Sequence, residues 1–189
     1  MDQFLELDAE VYQSKDQVCR DTLLSRLNRN PHTDIILTTN QTLIGYISLC
    51  PIDEQTFSSI LYHQPTEEEI EDAVIPYTKP GEYVAYLSSI VIDKKKFPRV
   101  TSKWLISSLE THLLKLRMRG IFITKIVAKA VSTAGRKTLL RMKFSVLNDN
   151  VFILKTGKRE ISFSPCAHTY PLMPLHNQLV FKSIYWGFV

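Results

Sequence analysis

Positive charge is concentrated where an apolar run meets an amphipathic run. The apolar run covers residues 82–93, and a short loop connects it to the amphipathic run, which begins near residue 102. The basic residues of this junction are Lys94, Lys95, Lys96, Arg99 and Lys103. The first turn of a helix presents unpaired N–H groups and the positive end of the helix dipole, so a cationic strand-to-helix junction suits a phosphate-bearing ligand. The junction therefore predicts a phosphate site, although it lacks the glycines that phosphate loops usually carry.

Other residues with reactive side chains form weaker patterns. Cys166 and His168 resemble half of a metal or thiol–base site, but no second pair stands at ligand spacing, so no metal is predicted. His112 falls on the apolar face of the amphipathic run, which indicates a core histidine. Cys19 and Cys50 are expected to be small buried apolar groups. Three widely spaced cysteines argue against a disulfide framework and fit reduced thiols in a cytoplasm.

Composition and charge predict one globular domain with two differently charged halves. The chain has 189 residues, of which 44% are hydrophobic and 22% charged. No apolar run reaches the roughly 18 residues that cross a bilayer, and the acidic N-terminus shows no secretory signal, so a cytoplasmic location without membrane contact is predicted. Residues 1–93 hold 5 basic and 16 acidic side chains, whereas residues 94–189 hold 18 and 3. This asymmetry predicts either two surfaces for different partners or faces that neutralise each other.

The elements around the basic junction form a strand–helix–strand unit. Residues 82–93 are predicted to be a strand, Thr101 or Ser102 is expected to cap the following helix, and Gly120 stands where a helix C-terminal glycine belongs. Residues 121–131 are predicted to be the next strand. A strand, a crossover helix and a second strand predict a parallel pair.

The remaining elements complete a mixed α/β sheet. We expect a short strand at residues 3–7, a helix at 16–28, a hairpin around Asn40, a helix at 133–144 and strands at 145–154 and 159–164. Residues 53–81 are interpreted as an acidic insertion over the surface, with a capping box of Thr66 and Glu69. The aromatic tail, residues 165–189, is expected to end in a strand. The predicted fold is a largely antiparallel sheet of six to seven strands with helices on both faces.

This order of elements resembles the GNAT superfamily of N-acetyltransferases. Residues 40–49 (NQTLIGYISL) look like the second hairpin of that family, and residues 86–93 look like its fourth strand, which commonly ends in an aspartate. Residues 126–144 look like its fifth strand and fourth helix. The resemblance covers residues 1–155 of a single domain and rests on order and spacing more than on any one motif.

The resemblance implies direct transfer of an acetyl group from acetyl-CoA to a primary amine. In such proteins the pantetheine pairs with the exposed edge of the central strand, and a backbone N–H near Ile90 is the family-like donor to the thioester oxygen. The cofactor phosphates lie on the loop and helix start that follow. The positions of this chain that match the cofactor site are Ser89, Ile90, Val91, Lys95, Lys96, Phe97, Arg99, Val100, Thr101, Ser102 and Lys103.

The resemblance also indicates where catalytic groups would stand. Tyr86 falls at about the position where some family members carry a glutamate, and Glu82 lies four residues earlier, where it could accept a proton through water. Ser88 shares a face with Tyr86 by the two-residue period, so that one of Ser88 and Ser89 should face the cleft. A non-catalytic role remains open for both residues: Glu82 could be a solvated carboxylate at the end of the strand, and Tyr86 could belong to the core or to the wall of a pocket.

Several positions depart from the family pattern. Phe97, Val100 and Ser102 stand where the family has a glutamine or arginine and two small residues, and Leu139 stands near its tyrosine proton donor. Lys143 replaces the glycine of its Gly-Phe pair. Two hypotheses follow: an acetyltransferase with a remodelled, charge-rich loop, or a protein that keeps the fold as a catalytically degenerate binding or regulatory module.

The resemblance and the charge pattern also indicate which molecules this protein would bind. The acceptor would be a small molecule, a peptide or a tRNA-borne amine, and the acidic residues 67–72 would either attract it or form a solvated helix face. Nucleic acid is a rival partner for the basic half but is not favoured, because no recognised binding motif accompanies the charges. The aromatic tail is expected either to complete the core or to cover the edge of a homodimer.

Overall fold

The computed structural model describes residues 1–63, 65–156 and 180–182, which build one mixed sheet flanked by helices. Its helices are α1 (Asp2–Val11), α2 (Arg20–Arg29), α3 (Glu54–Tyr62), α4 (Glu67–Asp72), α5 (Ser102–Met118) and α6 (Thr133–Arg141), with a 3-10 turn at Ser14–Asp16. Its strands are β1 (Asp34–Thr39), β2 (Thr42–Ile52), β3 (Gly81–Ile92), β4 (Ile121–Lys129), β5 (Ser145–Val146), β6 (Val151–Lys155) and β7 (Val180–Lys182).

The sheet confirms the predicted fold class. Its seven strands lie in the order β5-β6-β4-β3-β2-β1-β7. Strands β3 and β4 are parallel and every other neighbouring pair is antiparallel. The parallel pair is connected through α5, as the strand–helix–strand pattern predicted. The strand predicted at 159–164 and most of the aromatic tail lie outside the described residues, although β7 pairs with β1.

The β1–β2 hairpin and helix α5 form where local sequence signals predicted them. Asn40 and Gln41 adopt left-handed φ values of 46° and 65°, which suits a two-residue hairpin turn. Leucines at helical spacing bury one face of α5, namely Leu105, Leu109, Leu113 and Leu116. The helix is followed by Gly120 at φ 77°, where a Cβ would lie only 2.9 Å from Pro80. Glycine therefore fits this turn for both conformational and steric reasons.

The N-terminal segment corrects one prediction. Residues 3–7 lie in helix α1 and do not form a strand, because Phe4 and Leu7 recur at helical spacing and both are buried. The Phe4 ring stacks on Tyr46 of β2 with centroids 3.9 Å apart, which fixes α1 against the sheet. Helix α2 also begins later than expected, at Arg20, because the Cys19 sulfur accepts the N–H of Thr22 and caps the helix.

Residues 53–81 contribute to the core, so the interpretation of a segment lying over the surface is wrong for its apolar side chains. Phe57, Ile60 and Ile70 are at most 4% exposed and pack against the sheet. The capping box of Thr66 and Glu69 is present as predicted. Within the described part of the chain, no helix has the length and apolar character to cross a membrane.

Candidate functional site

Strands β3 and β4 separate halfway along the sheet and open a cleft. Their parallel pairing runs from Gly81 opposite Ile121 to Leu87 opposite Ala128. Strand β3 then continues to Ile92, and beyond Leu87 its only strand partner among the described residues is β2. A cavity of about 850 Å³ fills the opening between the diverging strands. The backbone of β3 beyond Leu87 is therefore available on one edge to an extended ligand.

A bulge in β3 places two serines at the opening. Ser89 pairs with Ser48 and Leu87 pairs with Leu49, so Ser88 is an additional residue without a partner on β2. The bulge interrupts the alternation of faces, and both Ser88 and Ser89 line the cavity. The expectation that only one of these serines faces the cleft is thus wrong.

The basic loop is organised around a buried aspartate. Asp93, 3% exposed, accepts the backbone N–H of Lys96 at 2.8 Å and lies 3.1 Å from the Lys96 ammonium. Its carbonyl accepts the N–H of Phe97 at 2.9 Å. Burial raises the pKa of Asp93, but the bonds to Lys96 outweigh burial and hold the pKa below its usual value. The loop therefore uses part of its own N–H groups and charge to hold its shape.

The bulky residues of this loop point inward. Phe97 and Val100 pack against a small apolar cluster of Leu37, Ile44 and Leu105. The loop thus takes a course in which Val100 does not face the cavity. The side chain of Thr101 makes no capping hydrogen bond to helix α5. Thr101 and Ser102 line the cavity, so the first turn of α5 is presented to it.

The predicted cofactor residues divide into two groups. Those that line the large cavity are Ser89, Ile90, Val91, Thr101 and Ser102. Those outside its lining are Lys95, Lys96, Phe97, Arg99, Val100 and Lys103. Lys95 extends toward helix α1, where it lies 3.2 Å from Glu10.

Sequence reasoning placed Lys94 in the basic junction but missed the contribution of helix α6 to the large cavity. Lys94 lines it from the loop, and several of the residues between Ser132 and Arg141 line it from the opposite side. Ser132 caps α6 by accepting the N–H of Gly135 at 3.0 Å, so the start of a second helix faces the opening. The sequence showed a capping serine ahead of a basic helix, but it did not indicate that the start of this helix would face the cavity.

A second, smaller cavity adjoins the first. It has a volume of about 300 Å³. Both cavities are lined by Tyr12, Asp16, Ser88, Ser89, Lys129 and Val131. The two cavities therefore meet at the bulge of β3.

Tyr12 stands at this junction and was missed in the sequence. It follows helix α1, and its hydroxyl lies near the side chain of Ser89 and the backbone N–H of Ile90, both of which act to lower its pKa. Burial raises its pKa, with smaller contributions from Asp8 and Glu67, so the hydroxyl stays protonated at neutral pH. The segment between α1 and α2 had no pattern that placed it near β3, and only the packing of α1 brings Tyr12 there.

Tyr86 and Glu67 form the wall of the smaller cavity. The Tyr86 hydroxyl lies 2.9 Å from both carboxylate oxygens of Glu67. Burial, followed by the Glu67 charge, raises the pKa of Tyr86 well above its usual value, so Tyr86 donates a hydrogen bond and is not a base. The Lys129 ammonium, 3.5 Å from Glu67, donates to the carbonyl of Pro65 at 2.6 Å.

Glu82 does not join these groups. It pairs with Phe122 near the start of β3 and lines a separate cavity beside Asp53 and Glu54. Six residues of strand separate it from Ser88, which is roughly 20 Å. The hypothesis of Glu82 as a base acting through one water is therefore not supported by its position.

The floor of the smaller cavity contains a buried ion network. Arg26, 2% exposed, lies 2.9 Å from Asp34 and 2.7 Å from Glu71. The hydroxyl of Ser48 donates to Asp34 at 2.5 Å. Among the described residues, no three His, Cys, Asp or Glu side chains form a group that could hold a metal ion.

Comparisons with known proteins give a structural likeness only. No family model matches the sequence, and no curated protein matches it. The loading GNATL domain of CurA from Lyngbya majuscula is 16% identical, with a TM-score of 0.51 over 68% of this chain and 59% of that one. The GphF GNAT-like decarboxylase in complex with isobutyryl-CoA is 16% identical, with a TM-score of 0.52 over 74% and 66%. This chain thus covers less than two thirds of the length of either structure.

A third solved structure covers more of both chains. FeeM, an N-acyl amino acid synthase from uncultured soil microbes, is 11% identical, with a TM-score of 0.53 over 82% of this chain and 83% of that one. At identities of 11–16%, these similarities establish a shared fold and nothing about activity.

Proposed function

We propose that this chain, which has a divergent GNAT fold, transfers an acyl group from acyl-CoA to a primary amine, with acetyl-CoA as the donor. The observation that carries the proposal is the opening between β3 and β4 with a second cavity meeting it at Ser88 and Ser89. The isobutyryl-CoA complex of GphF and the N-acyl product named for FeeM support acyl-CoA chemistry on this fold.

The donor would occupy the larger cavity. The pantetheine amides would pair with the edge of β3 at residues 88–91, which β4 leaves free. The phosphates would meet the first turn of α5 at Thr101 and Ser102 and the cations Lys94 and Arg141, which line the same cavity. This arrangement replaces the missing glycines by an open helix start and by positive charge from two elements.

The amine would attack from the smaller cavity. Its nitrogen bonds to the thioester carbonyl carbon, and the oxyanion accepts the N–H of Ile90, beside the Tyr12 hydroxyl. The C–S bond then breaks, and its electron pair leaves on the CoA sulfur. Glu67 takes the proton released by the amine, and Tyr12 gives a proton to the thiolate. In this mechanism Tyr12 supplies the proton that a tyrosine near Leu139 supplies in the family pattern.

The other predicted catalytic residues take supporting parts in the proposal. Tyr86 is a positioning residue, because its hydroxyl holds both oxygens of Glu67. Ser88 shapes the junction as the bulged residue of β3. The free thiols of Cys19 and Cys50 fit a reducing compartment, so a cytoplasmic location stays part of the proposal.

Calorimetric titration with acetyl-CoA and CoA tests the donor site. Arg141→Glu should weaken binding at least about tenfold, because it reverses a charge beside the phosphates. Lys137→Glu is the matched control, since Lys137 is exposed on the same helix and does not line the cavity. Equal losses in both variants, or no binding at millimolar cofactor, would contradict the donor site.

Release of CoA thiol in the presence of primary amines tests the chemistry. Tyr12→Phe should lower kcat by about a hundredfold or more, because it removes the proton donor to the thiolate, while acetyl-CoA still binds. An unchanged kcat in this variant would exclude Tyr12 as the acid.

The alternative is a degenerate GNAT fold that binds CoA or another partner without turnover. The use of loop N–H groups by Asp93 favours it, because those groups are withdrawn from a pyrophosphate. Saturable CoA binding without thiol release under any amine would select this alternative. A salt-dependent gel-mobility shift with tRNA or duplex DNA would instead point to the basic half as a nucleic-acid surface. Sedimentation tests the separate expectation of a homodimer.

A further inference from the structure

The smaller cavity carries more negative charge than its own cations balance. The five carboxylates that line it belong to Asp8, Asp16, Glu67, Glu68 and Glu71. Its two cations are Arg26 and Lys129, and both already have carboxylate partners. Arg26 also pairs with Asp34, a sixth carboxylate that lies outside the lining. A ligand that enters this cavity therefore meets a net negative field.

Glu71 supplies an independent sign of a missing cationic partner. It is 8% exposed, and its Oε1 lies 2.7 Å from Arg26. Its Oε2 has no hydrogen-bond partner among the described residues. Burial raises the pKa of Glu71, with Arg26 opposing and Asp34 adding to the effect. A buried carboxylate oxygen without a donor is costly, so a ligand N–H at this position would be strongly favoured.

Asp8 is a second buried carboxylate of the same cavity. It is 2% exposed, and its oxygens accept the Tyr46 hydroxyl and the Val18 N–H. Burial is the largest cause acting on Asp8 and raises its pKa despite both bonds. Because Asp8 and Glu71 come from different helices, α1 and α4, the negative charge surrounds the cavity and is not confined to one solvated helix face.

We propose that this cavity selects a small linear dication as acceptor: a primary amine that reacts at Ser88 and Ser89 and carries a second ammonium group at its far end. The second ammonium donates to Glu71 Oε2 and is attracted by Asp8. The inference rests on the proposed function, since it names the class of amine that the transferase would acylate.

The size of the cavity sets the length of the acceptor. A volume of about 300 Å³ corresponds to about ten waters at ~30 Å³ each, hence to about ten non-hydrogen atoms. Cadaverine, a linear dication, fits this size. An amino acid zwitterion fits the charge less well, because five carboxylates line the cavity against two cations, and of Arg26 only Nε lacks a hydrogen-bond partner among the described residues.

Cys19 offers a readout of occupancy that needs neither acyl-CoA nor turnover. It is exposed and lines the cavity, and hydrogen bonds from Thr22 lower the pKa of its thiol, which favours alkylation. Cys50 is buried. In a Cys166→Ser background, the rate of iodoacetamide labelling at Cys19, located by peptide mass, therefore reports on ligands in the cavity.

The test compares cadaverine with n-pentylamine, which has the same chain and one charge fewer, at constant ionic strength. Cadaverine at ten times its Kd should slow labelling of Cys19 by about tenfold, and pentylamine at the same concentration should protect far less. Equal protection by the two amines, or none at millimolar cadaverine, would overturn the inference.

Two variants locate the contact. Glu71→Gln should weaken cadaverine at least about tenfold in the labelling assay, and Glu68→Gln, at an exposed position, tests the same field if the first variant does not fold. Asp72→Asn is the control, since Asp72 lies on the same helix but does not line the cavity. Full retention of cadaverine protection in a folded Glu71→Gln protein would contradict the assigned contact.

The outcome is separable from the proposed function. If thiol release has the same kcat/KM with monoamines and dications, the proposed transferase function stands and the proposed selectivity for a dication is refuted. Protection of Cys19 by cadaverine without any thiol release would keep the dication site and refute the transferase.

Discussion

The buried histidine of helix α5 should make the stability of this protein depend on pH. His112 is 7% exposed, and its Nε2 has no hydrogen-bond partner among the described residues. Burial, followed by repulsion from His32, Lys115 and Arg119, lowers its pKa from 6.5 to about 4. The folded protein therefore holds His112 neutral where the unfolded chain would protonate it.

The sign and size of the effect follow from linkage. Between pH 6.5 and about 4, the unfolded state binds a proton that the folded state does not, so acid favours unfolding. Above pH 6.5, His112 does not reduce the free energy of unfolding. As the pH falls from 6.5 toward 4, protonation of His112 in the unfolded state lowers that free energy progressively. A difference of 2.5 pKa units gives a loss of about 3 kcal/mol between pH 7 and pH 4, of which about two thirds is expected by pH 5.

His112→Asn tests this reasoning, because asparagine keeps a donor near the position of Nδ1 and does not titrate. Urea unfolding of both proteins at pH 7, 6, 5 and 4 gives the difference in free energy of unfolding. As the pH falls to 4, the free energy of unfolding of the variant should rise by about 3 kcal/mol relative to that of the unsubstituted protein. His63→Asn, a substitution at an exposed position, should show no such relative change. A difference that varies by less than about 1 kcal/mol over this range would refute a neutral buried His112.

Three other substitutions test the fold around the site. A Cβ at Gly45 would lie 2.3 Å from the carbonyl oxygen of Val91, so Gly45→Ala should cost about 1–3 kcal/mol in urea unfolding and weaken acyl-CoA binding. Gly81→Ala, with no atom within 4 Å of the added Cβ, is its control. Arg26→Met should cost about 3–5 kcal/mol, because two buried carboxylates lose their partner, and a loss below 1 kcal/mol would contradict the network. Gln41→Gly should raise stability by about 0.5–1 kcal/mol, because φ at this position is 65°; a lower melting temperature would argue against strain in the turn.

Much of the fold could be predicted because its signals are local. The hairpin turn at Asn40, the leucine spacing of α5 and the capping box of Thr66 and Glu69 each depend on residues within a few positions of one another. The parallel pair of β3 and β4 also followed from the order of elements, since a parallel strand pair needs the crossover that α5 supplies. Phe4 was misassigned because a short apolar run fits a strand and a helix equally well.

The sequence by itself determined most of the elements, the basic junction and the acidic segment. Tertiary structure decided what these features do. The two serines face one cleft because Ser88 has no partner on β2, and a bulge is a property of two strands together. Phe97 packs against a buried cluster and Tyr12 stands beside Ile90 because contacts with distant helices and strands outweigh local preference. Glu71 became a candidate contact for a substrate only when tertiary packing placed it in the lining of the cavity and left one of its buried oxygens without a hydrogen-bond partner among the described residues, and no local pattern encodes that geometry.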